Sequence, residues 1–219
     1  MRAPASLRSI LPGYVAGLLL LACTALGSAV AHAAAPVLLV VGDSISAGYG
    51  LAQGESWVDL LAGRLRERGY RERVVNASIS GDTTAGGRAR LPALLREHRP
   101  SIVVIELGGN DALRGGDLAA TRANLDAMVQ ASQAAGARVL VVGMQLPPNY
   151  GSAYVRAFGA LFADIGKARS VPVVPFVFDG FADDLTQFQP DRIHPTAAAQ
   201  PRILANVWPA LAPLLGKRG

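Results

Sequence analysis

From Pro36 onward the chain alternates short, β-branched apolar runs with longer stretches in which apolar residues recur at helical spacing. The runs at 36–41, 73–77, 101–107, 138–143 and 171–174 predict five strands. The third holds a single Glu in an otherwise apolar segment, as in a strand covered on both faces. Between the strands, Trp57, Leu60, Leu61 and Leu65 fall on one helical stripe, with Arg64, Glu67 and Arg68 between them. Leu91, Leu94 and Leu95 mark a helix starting near Pro92, since proline is tolerated in a first turn. Residues 118–135 carry Leu125, Met128, Val129 and Ser132 on one stripe, and Gly136 stops them. Val155, Phe158, Phe162 and Ile165 form a further stripe. A last helix spans 196–215, with Ile203, Val207, Leu211 and Leu214 inward and a kink expected from Pro201 and Pro209. Five β–α alternations predict an α/β fold: a five-stranded parallel sheet in a three-layer α/β/α arrangement, with right-handed crossovers. No repeat, low-complexity tract or linker interrupts it, which favours one domain over 34–219.

The first 33 residues follow a different pattern, that of a secretory signal peptide. Arg2 and Arg8 precede an almost uncharged apolar stretch at 15–26, and Ala31-His32-Ala33 offers a small-x-small cleavage site. The stretch is short for a membrane span, which needs about 20 residues. An uncleaved anchor is one alternative, and lipidation at Cys23 in Leu20-Leu21-Ala22-Cys23 is another. The expected address is the periplasm or the exterior, with no stable span after processing. Processing would leave 186 of the 219 residues, and with Arg2 and Arg8 gone the net charge would drop from +5 to +3. Cys23 is the sole cysteine, so residues 34–219 hold no disulfide, thiolate nucleophile or Cys-based metal site. The arginines at 64–73 and 88–99 are spread along helix faces and loops. They read as solvated faces, and no nucleic-acid partner is expected.

In a parallel sheet, function collects beyond the carboxyl ends of the strands. Gly42-Asp43-Ser44 follows strand one, 76–81 follows strand two, and Gly108-Gly109-Asn110-Asp111 follows strand three. Of the three histidines, His32 leaves with the signal and His98 lies on an apolar stripe at a helix C-terminus, a structural position. His194 remains. Pro195 holds it extended, and Asp191, three residues earlier, has the spacing to fold back onto one ring nitrogen. Ser44, His194 and Asp191 would then form a nucleophilic triad; taken alone, the last two serve equally as a helix entry loop. The Ser44 amide, the Gly81 backbone and the Asn110 side chain are candidate oxyanion donors. Singly, Gly81 is a turn residue and Asn110 a cap. Gly42-Asp43-Ser44-Ile45-Ser46 lacks the second glycine of the α/β-hydrolase elbow. No phosphate-binding glycine loop and no metal-ligand spacing occurs, so neither cofactor nor metal is expected.

These blocks resemble the SGNH (GDSL) hydrolase family: Gly42-Asp43-Ser44, Gly81, Gly109-Asn110-Asp111 and Asp191-x-x-His194, in the family's order and spanning most of 34–219. The stretches at 75–83, 106–111 and 145–151 are similar to the bacterial periplasmic thioesterase I, lysophospholipase and arylesterase group. The resemblance implies a flavodoxin-like fold and cofactor-free hydrolysis of acyl esters and thioesters. It further implies Ser44 as nucleophile, His194 as base, Asp191 as its orienting acid, and Ser44, Gly81 and Asn110 as the oxyanion site. Arg192 departs from the group, which usually carries a small residue there. Loops at 111–117 and 145–152 would bound an acyl groove, with Leu113 and Leu146 lining it. Asp43 then shapes the turn. The expected partner is a small acyl ester or thioester, and the expected state a monomer. A polysaccharide O-acetylesterase and a non-catalytic acyl-binding protein on the same fold remain alternatives.

Overall fold

Five strands, β1 (Val37–Gly42), β2 (Arg73–Asn76), β3 (Ile102–Glu106), β4 (Arg138–Val142) and β5 (Val173–Val174), pair in the order β2-β1-β3-β4-β5, and every pair is parallel. The computed structural model of the chain describes residues 35–218, so the expected signal peptide and Cys23 lie outside the described residues. β5 starts later than the apolar run suggests, because the Val171 amide donates to the Gly166 carbonyl and closes the preceding helix.

The described residues form seven α-helices: α1 (Ser44–Ala47), α2 (Trp57–Glu67), α3 (Thr84–His98), α4 (Gly109–Leu113), α5 (Leu118–Ala134), α6 (Ser152–Arg169) and α7 (Gln200–Leu211). The strands alternate their side chains between two apolar layers, as the pleat requires. Leu38, Val40, Ile102, Val104, Leu140 and Val142 pack with α2 and α7. Leu39, Val41, Val103, Ile105, Val139 and Val141 pack with α3, α5 and α6. The sheet is thus covered on both faces, the three-layer architecture that the alternating pattern predicts.

Two helices differ from their sequence pattern. α3 starts at Thr84, not near Pro92, which instead lies inside the helix. The Thr83 side chain caps it by accepting from the Gly86 amide at 3.3 Å. Gly87 then takes a core position, where a β-carbon would come within 2.3 Å of Leu107 Cδ1. A contact position filled by glycine adds nothing to an apolar stripe, so the first two turns are invisible to periodicity. The expected continuous helix at 196–215 divides into a 3₁₀ turn at Ala197–Ala199, α7, and a second 3₁₀ turn at Ala212–Leu214. Pro201 does not kink α7 but sits in its first turn, where its missing N–H costs no helical bond; Pro209 lies inside the helix. His98 ends α3 with its ring 3.7 Å from the Glu97 carboxylate, at the helix C-terminus where it was expected. No helix among the described residues is long and apolar enough to cross a membrane.

Candidate active site

At the end of β1 the chain turns sharply through Asp43 into α1. Asp43 caps the helix, its Oδ1 accepting from the Ile45 amide at 3.0 Å. Gly42 is required here, since a β-carbon would lie 2.7 Å from Ser46 Cβ and 3.0 Å from Glu106 Oε2. Ser44 therefore stands in the first turn of a short helix at the sheet edge. Beneath it, Ser46 Oγ donates to Glu106 Oε2 at 2.8 Å, and the Asp43 and Ser46 amides also bond the Glu106 carboxyl. Glu106 is the single charged residue of β3, level with Gly42 in register. Burial, then the neighbouring Asp43 charge, pushes its carboxyl well above the usual range, against the lowering effect of the Ser46 hydroxyl and the two amides.

His194 reaches Ser44 from a loop bound at several points. Its Nε2 accepts from Ser44 Oγ at 2.9 Å, and its Nδ1 donates to Asp191 Oδ2 at 2.7 Å. The other carboxylate oxygen of Asp191 accepts from the Ile193 and His194 amides at 2.9 and 3.0 Å. Partial burial opposes the charge on Asp191, but the His194 amide and ring, with the Ile193 amide, outweigh it and hold the carboxyl at about 2. The loop closes where the Gln189 amide donates to the His194 carbonyl at 2.7 Å. Gln189 Nε2 also donates to the Tyr49 carbonyl at 2.8 Å, which ties this loop to the chain just beyond α1. Gln200, buried at the start of α7, accepts from the Trp57 amide at 3.0 Å and donates to the Thr196 carbonyl at 3.3 Å. The ring of Tyr49 lies over that of His194, with centroids 4.4 Å apart.

The expected oxyanion donors come from the ends of β1, β2 and β3. Gly81 has φ +79°, which suits glycine, and a β-carbon there would meet only Arg114 Nη2 at 3.8 Å, so the space beside its backbone is open. Asn110 stands in the first turn of α4 and donates one Nδ2 hydrogen to Asp43 Oδ2 at 3.1 Å, leaving the second for another acceptor. Asp43 thus couples the nucleophile turn to Asn110, in keeping with the turn-shaping role expected of it. Burial raises the Asp43 carboxyl to about 6, against the lowering effect of the Ile45 amide, Asn110 and His194.

The loops carrying these donors are pinned from below. Asp111 accepts from the Thr84 amide at 2.9 Å and joins α4 to the start of α3. Arg90 bonds Asp82 at 2.8 Å, the Gly42 carbonyl at 3.4 Å, and the Ala77 carbonyl. The solvated face expected for Arg90 is therefore corrected: its side chain, 20% exposed, stitches the loop after β2 to the end of β1.

Of the two residues expected to line an acyl groove, Leu113 is half-buried in α4, and Leu146 is 7% exposed and packs within the apolar layer of α3, α5 and α6. Their loops do meet. Tyr150 Oη donates to the Leu113 carbonyl at 3.2 Å, and Tyr154 Oη to the Gly116 carbonyl at 2.7 Å. A cleft of about 590 Å³ beyond β4 and β5 touches Gln145, Phe176 and residues 179–184, and none of Ser44, Asp191 and His194 lines it.

Sequence reasoning overlooked Glu106, Tyr49, Gln189 and Gln200. Glu106 gave a signal, being one acid in an apolar strand. The glutamines and Tyr49 gave none, because the contacts that fix the site, Trp57 to Gln200, Tyr49 to Gln189 and Tyr49 to His194, span long stretches of chain.

The arrangement joins a hydroxyl, an imidazole and a carboxylate in one hydrogen-bonded relay, with a glycine backbone and a half-satisfied amide on neighbouring strand ends. Residues 40–201 match the model of the GDSL-like Lipase/Acylhydrolase family. The chain is 54% identical over 198 residues to the Esterase TesA of Pseudomonas aeruginosa, covering 90% of this chain and 98% of that one. It is 43% identical over 183 residues to an Escherichia coli protein named as a thioesterase, protease and lysophospholipase, covering 84% and 86% respectively. Among solved structures, that of TesA superposes with a TM-score of 0.80 at 55% identity, over 82% of this chain and 99% of that one. A psychrotrophic Pseudoalteromonas esterase, EstA, solved with monoethylphosphonate as inhibitor, gives 0.77 at 37% identity, over 81% and 97%. The chain belongs to the GDSL-like lipase and acylhydrolase family.

Proposed function

We propose that this chain is a serine hydrolase of acyl esters and thioesters, acting through an acyl-enzyme on Ser44. The observation that carries the reading is the relay from Ser44 Oγ to His194 Nε2 at 2.9 Å and from His194 Nδ1 to Asp191 at 2.7 Å. With its Nδ1 proton committed to Asp191, His194 presents a bare Nε2 to the hydroxyl, the tautomer a base needs. Ser44 Oγ attacks the acyl carbon as His194 takes its proton. The carbonyl oxygen becomes an anion facing the Ser44 and Gly81 amides and the second Asn110 hydrogen. His194 returns the proton to the departing alcohol or thiol, and water repeats the sequence to free the acid. Aryl esters, thioesters and lysophospholipids are the substrates suggested by the relatives' names, and acyl-coenzyme A is the thioester we expect. Leu113 and Leu146 belong to the proposed acyl side, Leu146 as floor rather than wall because it is buried.

We further propose that residues 1–33 are a signal directing residues 34–219 to the periplasm as one catalytic domain acting as a monomer. The test of the chemistry is Ser44→Ala, assayed on an aryl ester and by fluorophosphonate labelling. The variant should lose about 10⁴-fold or more in kcat and all labelling, while its circular dichroism stays that of the parent. Undiminished turnover would refute the mechanism.

A further inference from the structure

Three non-glycine residues among those described have left-handed backbones: Arg99, Ser170 and Arg192. Arg99 and Ser170 are the C-caps of α3 and α6, where that conformation satisfies terminal carbonyls. Arg192 ends no helix. Its φ of +59° sits at the tip of the turn that carries His194, with its amide bonded to the Gln189 carbonyl at 2.8 Å. A strained arginine where glycine would fit without cost points to a use for the side chain. That side chain is exposed, and no carboxylate among the described residues forms an ion pair with it. Two other arginines of this rim are already bonded, Arg90 to Asp82 and Arg114 to the Gly81 carbonyl.

The direction of the chemistry assigns the ligand. His194 must hand its proton to the departing oxygen, so the leaving group lies on the His194 side of the site. Tyr49, 53% exposed, packs on the His194 ring, and Ile193, 47% exposed, and exposed Arg192 directly precede His194 in the chain. A glycerol leaving group bearing a phosphate would bring that phosphate to the tip of the turn. The planar guanidinium matches a phosphate with two parallel hydrogen bonds. We propose that Arg192 is a specificity-determining residue that binds the phosphate on the leaving alcohol of a lysophospholipid, the class already named above, and so favours it over neutral monoacylglycerols. This rests on the esterase reading above. In the step concerned, Ser44 Oγ bonds the acyl carbon, the bond from that carbon to the glycerol oxygen breaks, and the oxygen takes the proton from His194. The phosphate is unchanged.

The test compares hexanoyl-glycerol-3-phosphate with monohexanoylglycerol, both kept monomeric so that no lipid surface supplies the phosphate. The parent protein, Arg192→Ala, Arg192→Lys and Arg192→Gly are assayed; the glycine variant suits the left-handed backbone and guards against a folding defect. The parent should favour the phosphate ester. The ratio of kcat/KM values, phosphate over neutral, should fall about tenfold in the alanine and glycine variants and recover in part with lysine. Added salt should lower the parent's ratio and leave that of the alanine variant unmoved. An unchanged ratio in both the alanine and glycine variants overturns the assignment of Arg192. If the parent cleaves neither ester, the esterase reading falls, and this inference with it.

Discussion

Asp43→Asn separates the electrostatic cost of the nucleophile turn from its catalytic use. Asp43 is 2% exposed and its carboxyl is raised from 3.8 to about 6, chiefly by burial. The native state therefore binds a proton more tightly than the unfolded chain, so stability contributed by this group is present below pH 3.8 and lost as pH rises towards 6. The loss is about 3 kcal/mol, at 1.36 kcal/mol for each pH unit. Asparagine cannot ionise and caps a helix as well as aspartate, so it escapes this loss. Urea titrations of both proteins at pH 3 and pH 7 should show the variant gaining about 3 kcal/mol on the parent between the two. Activity should move the other way. Asp43 accepts from both the Ile45 amide and Asn110, through different oxygens. Asparagine has one acceptor oxygen, so it must lose one bond or set its amide against that of Asn110. With Asn110 no longer aimed, kcat should fall roughly 10- to 100-fold, short of the loss for removing an oxyanion donor outright. A stability difference that is the same at both pH values would refute the electrostatic reasoning, and an unchanged kcat would refute the link to Asn110.

Asp191→Asn should cost about 10⁴ in kcat, because an amide at 191 no longer fixes the His194 tautomer; a comparable loss from Asp179→Asn would show that the acid is misassigned. Arg90→Met keeps the aliphatic stem but removes the bonds to Asp82 and to the Ala77 and Gly42 carbonyls, and thermal unfolding should report a loss of about 2 kcal/mol together with a reduced kcat. Gly87→Ala should reverse the usual sign for glycine in a helix. The new methyl would lie 2.3 Å from Leu107 Cδ1 and 3.2 Å from the Met128 sulfur, so denaturant titration should show a loss of about 1–3 kcal/mol rather than a gain of about 1.

The parts of this molecule that were legible in its sequence are those whose cause is local. β1, β3 and β4 are short apolar runs buried on both faces, and their bounds fall within a residue of the pattern. Ser44, Gly81, Asn110 and His194 stood out as candidates because each sits at a strand end or a turn, where residue type and neighbours are informative. The start of α3 was hidden because Gly87, not a large apolar residue, fills its core contact. Arg90, Gln189 and Gln200 were hidden for a different reason. Each is a polar side chain that reads as surface until a distant backbone group is brought to it: the Gly42 carbonyl to Arg90, the Tyr49 carbonyl to Gln189, the Trp57 amide to Gln200. Support of this kind is a property of the folded chain and leaves no mark on local sequence.

Two aspartates stand near His194, and by adjacency to Ser44 the nearer in sequence looks like the triad acid. Their surroundings favour Asp191 for the proposed role. Asp191 is one-third exposed and receives two backbone amides and the imidazole, which hold its carboxyl at about 2. Its charge and its bond to Nδ1 suit it to orient the ring in the proposed mechanism. Asp43 is buried and its bonds go to the Ile45 amide and to Asn110, not to the imidazole. Its raised pKa of about 6 still leaves it charged for the most part at neutral pH. In the proposed mechanism that charge would oppose an oxyanion held by Asn110 but favour an imidazolium forming on His194 at the same moment. The environments of the two aspartates push their pKa values apart, which fits the proposed division of roles: Asp191 orients the base, and Asp43 joins the turn carrying Ser44 to Asn110.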